Sequence, residues 1–456
     1  MAYCISATKR RATGTEARTL TSHTYKVGLY TLGCKVSQYE TEAIAEGFEA
    51  LGFARGDFLD ECDVYVVNTC TVTQEAGRKC RQVIRRAIQK NPRAVVMVTG
   101  CHSQTNPEQI SSIEGVAYIG GTDDKMALPQ KALELLKQRE NAPVMAVTSL
   151  DGVEYEEMTV TSPPRTRAYV KIEDGCECRC SYCAIPNARG RVRSRSQDSV
   201  IAELEYLARL GVREVVLTGI EIASYGRDLE GVRLIDLLEK IDALSLGLRI
   251  RLGSITPELL REDFVSRIAS LRCITPHFHI SLQSGCDKIL MAMKRRYNTN
   301  AVKASMARLR ELIPDVTFTC DVIVGFPDET DGDFATTREF MADARFLDAH
   351  IFAYSRRKDT PAATYPNQID EATKKRRSQE LHELQKSVTH SLLCEMVAEK
   401  KPLSVLFETV DCGVWSGHTD TYVEVRAESE KNLQSQIALA IPQYVEGNKI
   451  FATLIE

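Results

Sequence analysis

The chain has 456 residues, enough for about two to four domains with buried cores. Its 43% hydrophobic and 26% charged content excludes a disordered or fibrous protein, and no run of about 18 apolar residues offers a transmembrane helix. A net charge of −4 excludes a generally basic nucleic-acid binder, so any RNA contact must come from local patches.

Residues 1–24 are basic and rich in Ser, Thr and Ala, without the apolar core of a secretory signal. They read as a disordered extension. Fifteen cysteines without an export signal point to thiols and metal ligands in a cytoplasmic protein rather than a disulfide scaffold.

Residues 25–138 alternate short apolar runs with helical stretches. Lys26–Leu32, Asp63–Asn68, Ala94–Thr99 and Val116–Ile119 read as strands. Tyr39–Leu51, Glu75–Gln89 and Lys125–Gln138 read as helices, giving a parallel-sheet α/β domain. Cys34, Cys70 and Cys101 each follow one of the first three strands. In a parallel sheet those positions share one edge, where ligand sites form. Three cysteines at equivalent positions predict a metal cluster there. Gly33 and Gly100 precede two of them and permit sharp turns.

Residues 139–161 read as a linker. In 162–392 six strands alternate with helices: Ala168–Ile172, Glu214–Gly219, Leu248–Leu252, His277–Leu282, Phe318–Val324 and Ala349–Tyr354. Six such units predict an incomplete (β/α)6 barrel with its chemistry at the carboxyl ends of the strands. The first of those ends opens into Gly175–Gly190, GCECRCSYCAIPNARG. Cys176, Cys180 and Cys183 have the spacing C-x3-C-x2-C, and Cys178 lies between the first two as a bystander. Three thiolates on one loop can hold three irons of a [4Fe–4S] cube and leave the fourth open to a small chelating ligand. A structural zinc knuckle is the alternative, but no second pair or histidine follows at zinc spacing.

Arg189, Arg191, Arg193 and Arg195 alternate after the loop, and Arg189, Arg191 and Arg193 are candidate RNA contacts. His277 and His279 share one strand face as site-lining or packed residues. Lys374–Arg377 opens a long helix as a solvated basic turn. Cys4, Cys62, Cys80, Cys273, Cys286, Cys320, Cys394 and Cys412 lack clustered partners and read as small core hydrophobes. Residues 393–456 turn β-rich, with about five short strands that suggest a small barrel. Trp415 and Tyr422 are its candidates for stacking on bases.

The motifs TLGCKVSQYE, NTCTVT and TGC, followed by the GCECRCSYC loop, resemble the radical-SAM (S-adenosylmethionine) methylthiotransferase family. HFHISLQSG is similar to the branch acting on N6-threonylcarbamoyladenosine in tRNA, and WSGHTDTYVEV resembles the RNA-binding TRAM domain. The resemblance implies a second [4Fe–4S] cluster at Cys34, Cys70 and Cys101. It implies SAM near Gly219, Glu221, Ser254 and Gln283. It also implies methylthiolation of C2 of the modified adenosine at tRNA position 37, with two SAM and an external one-electron reductant. A monomer is expected. The alternatives are a methylthiotransferase acting on isopentenyladenosine in tRNA or on a ribosomal-protein aspartate, and a non-catalytic iron–sulfur RNA-binding protein.

Overall fold

The computed structural model describes residues 24–71, 74–138 and 142–455. The extension expected over 1–24 lies, apart from Thr24, outside them.

Strands β1 (Lys26–Thr31), β2 (Ala54–Gly56), β3 (Val64–Thr69), β4 (Val95–Gly100), β5 (Val116–Gly120) and β6 (Val144–Ala146) form one sheet. Its order is β2-β1-β3-β4-β5-β6, parallel throughout. β3 and β4 are buried along their whole length, which is why they read as unbroken apolar runs. Helix α1 (Lys35–Ala50) starts four residues earlier than its apolar period suggests, with Cys34 at its N-cap. β6 lies inside the stretch expected to be linker. Its three residues add an edge to the sheet, too short to carry a periodic signal.

The middle unit adds β7 (Arg167–Lys171), the hairpin β8 (Glu173–Asp174) with β9 (Arg193–Ser194), then β10 (Glu214–Thr218), β11 (Arg249–Leu252), β12 (His277–Gln283), β13 (Thr317–Val324) and β14 (Asp348–Ala353). β7-β10-β11 and β12-β13-β14 are parallel triplets joined by bridges at Ile250–Ile274 and Ile255–Ile280. The result is the predicted six-stranded partial barrel, open between β7 and β14. Helices cover its outside and share a core that includes Val170, Leu217, Ile250, Phe278, Phe318 and Val322. After β11 the chain forms a turn at Pro257–Leu259 and then a helix at Glu262–Ile268. Buried Leu260 bends the chain between them.

The helix Glu371–Glu399 links this unit to the last one. Its end packs Leu393, Met396 and Val397 onto the C-terminal core, so the boundary expected at 393 falls within a helix. Its first turn is not simply solvated. Arg377 is buried on Glu329 at 2.7 Å, and the Lys374 stem covers Gly325. β15 (Leu403–Asp411), β16 (Val414–Thr419), β17 (Glu424–Glu428), β18 (Ile437–Glu446) and β19 (Lys449–Leu454) close into a small barrel in the order β15-β16-β17-β19-β18.

This barrel caps the amino-terminal end of the partial barrel. Tyr422 stacks on His277 at 4.6 Å between rings, with the Arg251 and Arg167 guanidinium groups 5.0 and 5.4 Å from its ring centre. Thr317 Oγ1 donates to the Thr421 carbonyl at 2.5 Å. Arg251 Nη2 donates to the Thr419 carbonyl at 3.2 Å.

The first and middle units are joined by buried charge. Glu40 of α1 meets Lys125 at 2.7 Å, Lys171 at 3.1 Å and Arg189 at 2.5 Å. Asp174 meets Lys171 at 2.6 Å and Arg189 at 3.0 Å. Burial alone would raise the Glu40 carboxyl, but Arg189, Lys125 and Lys171 hold it well below the ordinary range. A second junction buries Arg195 against Glu203, whose carboxylate also accepts from Tyr39 Oη at 3.0 Å and from the Val160 N–H at 3.0 Å. Removing one member of such a network strands the others uncompensated, at about 3–5 kcal/mol. Glu40→Ala is therefore expected to lower the first thermal unfolding transition by about 5–10 °C in calorimetry, more than Glu42→Ala at the half-exposed Arg55 pair.

Candidate functional site

β1, β3 and β4 are neighbours in the sheet, so the residues after them emerge side by side. Cys34 caps α1, Cys70 follows β3, and Cys101 opens α3 (Cys101–Thr105). Gly100 has φ +103°, and a Cβ there would stand 2.5 Å from both Asn68 Oδ1 and the Thr69 carbonyl. Gly33 has φ +136°, and a Cβ there would stand 3.4 Å from Cys70 Cβ. Only glycine lets these two turns come together. Cys34 is exposed, while Cys70 and Cys101 are buried, so the set opens on one side.

The second set lies on the loop between β8 and β9. Gly175, at φ +84°, lies so close to the Arg191 carbonyl that any side chain would collide. The Cys178 N–H donates to Cys176 Sγ at 3.5 Å, and the Cys183 N–H to the Cys180 carbonyl at 3.1 Å. Cys180 is buried, while Cys176, Cys178 and Cys183 are partly exposed.

Each set has one guanidinium on a sulfur, fully buried at Arg189 and half-buried at Arg295. Arg189 Nε donates to Cys101 Sγ at 3.2 Å, and Arg295 Nη1 to Cys180 Sγ at 3.3 Å. Burial pushes both thiols up, and these arginines pull the other way, toward thiolate. Three cysteines per set, with a guanidinium on one sulfur of each, are donors of the kind that hold an iron–sulfur cluster.

The predicted SAM residues share the same edge. Gly219 follows β10, and a Cβ on it would meet Glu173 Oε2 at 2.6 Å. The Glu221 N–H donates to Glu173 Oε2 at 2.8 Å. Thr256 Oγ1 donates to Glu221 Oε1 at 3.4 Å. Burial raises the Glu221 carboxyl to about 8. Ser254 is exposed after β11, and Gln283 ends β12 at φ +66°. Glu173 was missed by sequence reading. It is fully buried, its Oε1 has no hydrogen-bond partner, and burial holds it well toward the neutral acid.

Four of the RNA-contact expectations need correction. Arg189 is completely buried among Glu40, Asp174 and Cys101, and Arg193 spends its guanidinium on the Arg189 carbonyl at 2.9 Å. Trp415 lies in the small barrel's core, on the inward register of β16. Tyr422 is occupied by His277 and two arginines. Arg191 alone of the set is exposed. Cys394 and Cys412 are also exposed, contrary to the core reading, whereas Cys62, Cys80, Cys286 and Cys320 are buried and Cys273 half-buried. Cys4 lies outside the described residues.

The basic surface lies elsewhere. A cleft of about 1140 Å³ separates the first unit from the exit of β14. Arg78 and Arg81 of α2 (Gln74–Lys90) line one wall, and Arg356, Arg357 and Lys358 the other. His102, beside Cys101, is buried in it with neither ring nitrogen paired, and burial with Arg81 and Arg357 holds it down to about 4, hence neutral. The basic run of α2 was visible in sequence, but not that it faces a second basic segment.

Residues 26–121 match the Uncharacterized protein family UPF0004 and residues 170–341 the Radical SAM superfamily, so each segment holds one cysteine set. The chain is 38% identical over 419 residues to the threonylcarbamoyladenosine tRNA methylthiotransferase MtaB of Bacillus subtilis, covering 90% of this chain and 92% of that one. It is 35% identical to the MtaB of Thermotoga maritima, covering 87% and 90%. It is also 32% identical to a tRNA-2-methylthio-N(6)-dimethylallyladenosine synthase of Dictyoglomus thermophilum, covering 91% and 95%. The fold is similar to the radical S-adenosylmethionine methyltransferase TsrM of Kitasatospora setae, with TM-score 0.56 and 17% identity over 75% of this chain and 77% of that one. With such relatives spanning nearly its whole length, the chain belongs to the radical SAM tRNA methylthiotransferase family.

Proposed function

We propose that this enzyme methylthiolates C2 of N6-threonylcarbamoyladenosine at position 37 of tRNA. The observation that supports the reading is that Arg189, at the end of the Cys176–Cys183 loop, donates to Cys101 Sγ while pairing with Glu40 and with Asp174 at the start of that loop. The MtaB names of the first two relatives support the substrate. Cys176, Cys180 and Cys183 would hold the cluster that binds SAM, and Cys34, Cys70 and Cys101 the auxiliary one. Bound there, the first cluster would relay one electron from an external reductant to SAM, and the auxiliary one would supply a sulfur-binding iron.

The chain's own residues supply the rest. Arg189 and Arg295 donate to Cys101 and Cys180 and offset part of the rise that burial imposes on these thiols. Glu173 packs its carboxylate against Gly219 and accepts the Glu221 N–H, fixing the strand end at which Glu221 and Gln283 would meet a small polar ligand. Arg78, Arg81, Arg356 and Lys358 offer phosphate contacts along the cleft, at which position 37 would be turned out of its stack.

Anaerobically reconstituted protein is expected to carry about eight irons, and Cys101→Ala about four. Cys101→Ala is expected to keep SAM cleavage to 5′-deoxyadenosine with dithionite, while Cys180→Ala abolishes it. Four irons in the unaltered protein would remove the auxiliary cluster from the scheme. In a deletion strain, mass spectrometry of tRNA nucleosides is expected to show loss of methylthio-threonylcarbamoyladenosine with methylthio-isopentenyladenosine unchanged. The reverse pattern would reassign the substrate.

A further inference from the structure

Three side chains on the inner face of the partial barrel converge outside both cysteine sets. The parallel register sets His279 opposite Thr319 and Asp321 opposite His350. Side chains alternate along a strand, so His277 and His279 share the inner face of β12, and Thr319 and Asp321 that of β13. His279 Nε2 lies 3.2 Å from Asp321 Oδ1, and His350 Nδ1 lies 3.0 Å from the same oxygen. One ligand atom from each residue lies within 4.8 Å of the other two, and among the described residues no other such group occurs.

The geometry fits one ion. With bonds of about 2.0–2.2 Å, ligands at right or tetrahedral angles stand about 3.0–3.5 Å apart. The separations of 3.2 and 3.0 Å fall in that range, so an ion could enter with little movement. The second shell is also in place. His279 Nδ1 lies 2.8 Å from Thr319 Oγ1, and that hydroxyl lies 2.9 Å from His277 Nε2. A ligating imidazole is oriented by a partner on its other nitrogen. Thr319 can accept from one ring while donating to the other, so His279 can release Nε2 for a metal. The His350 side chain is 59% exposed, which leaves one side of the group open.

We propose that His279 Nε2, the Asp321 carboxylate and His350 Nδ1 form a site for one divalent first-row transition ion. Two imidazoles and one carboxylate with open positions suit zinc, iron(II) or manganese rather than calcium or a soft ion. The same contacts without an ion would be a hydrogen-bonded triplet that braces the open edge of β14.

The test uses the full-length protein with its clusters in the oxidised, EPR-silent state. Manganese(II) is titrated and the free ion followed by EPR, with zinc as competitor and iron and sulfide measured in every sample. One manganese per chain is expected to be immobilised and released by stoichiometric zinc. Asp321→Asn and His350→Gln should each weaken binding at least about tenfold, and Thr319→Val about tenfold, at unchanged iron and sulfide. His382→Gln, an exposed histidine elsewhere, should change nothing. His350→Gln sits on an exposed edge and keeps the test available should Asp321→Asn fold poorly. Absence of immobilised manganese, or binding that survives both His350→Gln and Asp321→Asn, overturns the site and leaves the triplet as a brace.

Discussion

Five charges with almost no access to water hold the two halves of the reaction chamber together. Lys125, Lys171 and Arg189 pair with Glu40 and Asp174, and Arg193 lies 3.7 Å from Asp174. Glu156 adds a third carboxylate that acts on both lysines. Arg189 also donates to Cys101 Sγ at 3.2 Å, so the ion pairs that join the two units touch the first cysteine set as well.

The same five residues fix geometry. Glu40 lies on the helix that Cys34 caps, Lys125 follows β5, and Asp174 precedes Gly175 and Cys176. Arg189 closes the cysteine loop. Each cysteine set is thus tied through a few covalent bonds to a common buried cluster of ion pairs. Bidentate guanidinium–carboxylate contacts are directional, so they restrict rotation as well as separation.

Much of this was legible in the residues, and the failures have physical causes. Strand-end cysteines could be placed because β3 and β4 are unbroken apolar runs and parallel topology brings their ends together. The partial barrel followed from six repeats of one pattern. The arginines after the loop misled because their alternation is compatible with solvent or with burial. What decides is Glu40 and Lys125, more than 60 residues earlier in sequence. Trp415 misled in the opposite way, since an aromatic side chain in a suspected RNA-binding module suggests stacking. The alternation of β16 itself, with Trp415, Gly417 and Thr419 facing inward, carried the correct signal. The His279, Asp321 and His350 grouping depends on register across three strands, which sequence does not state.

The small C-terminal barrel has a consequence beyond attachment. By pressing Tyr422 onto His277 between Arg167 and Arg251, it stoppers one end of the chamber. With that end covered, the barrel interior is reached from the cysteine-loop end and from the unpaired side between β7 and β14, so the small barrel decides by exclusion from which directions a molecule can approach.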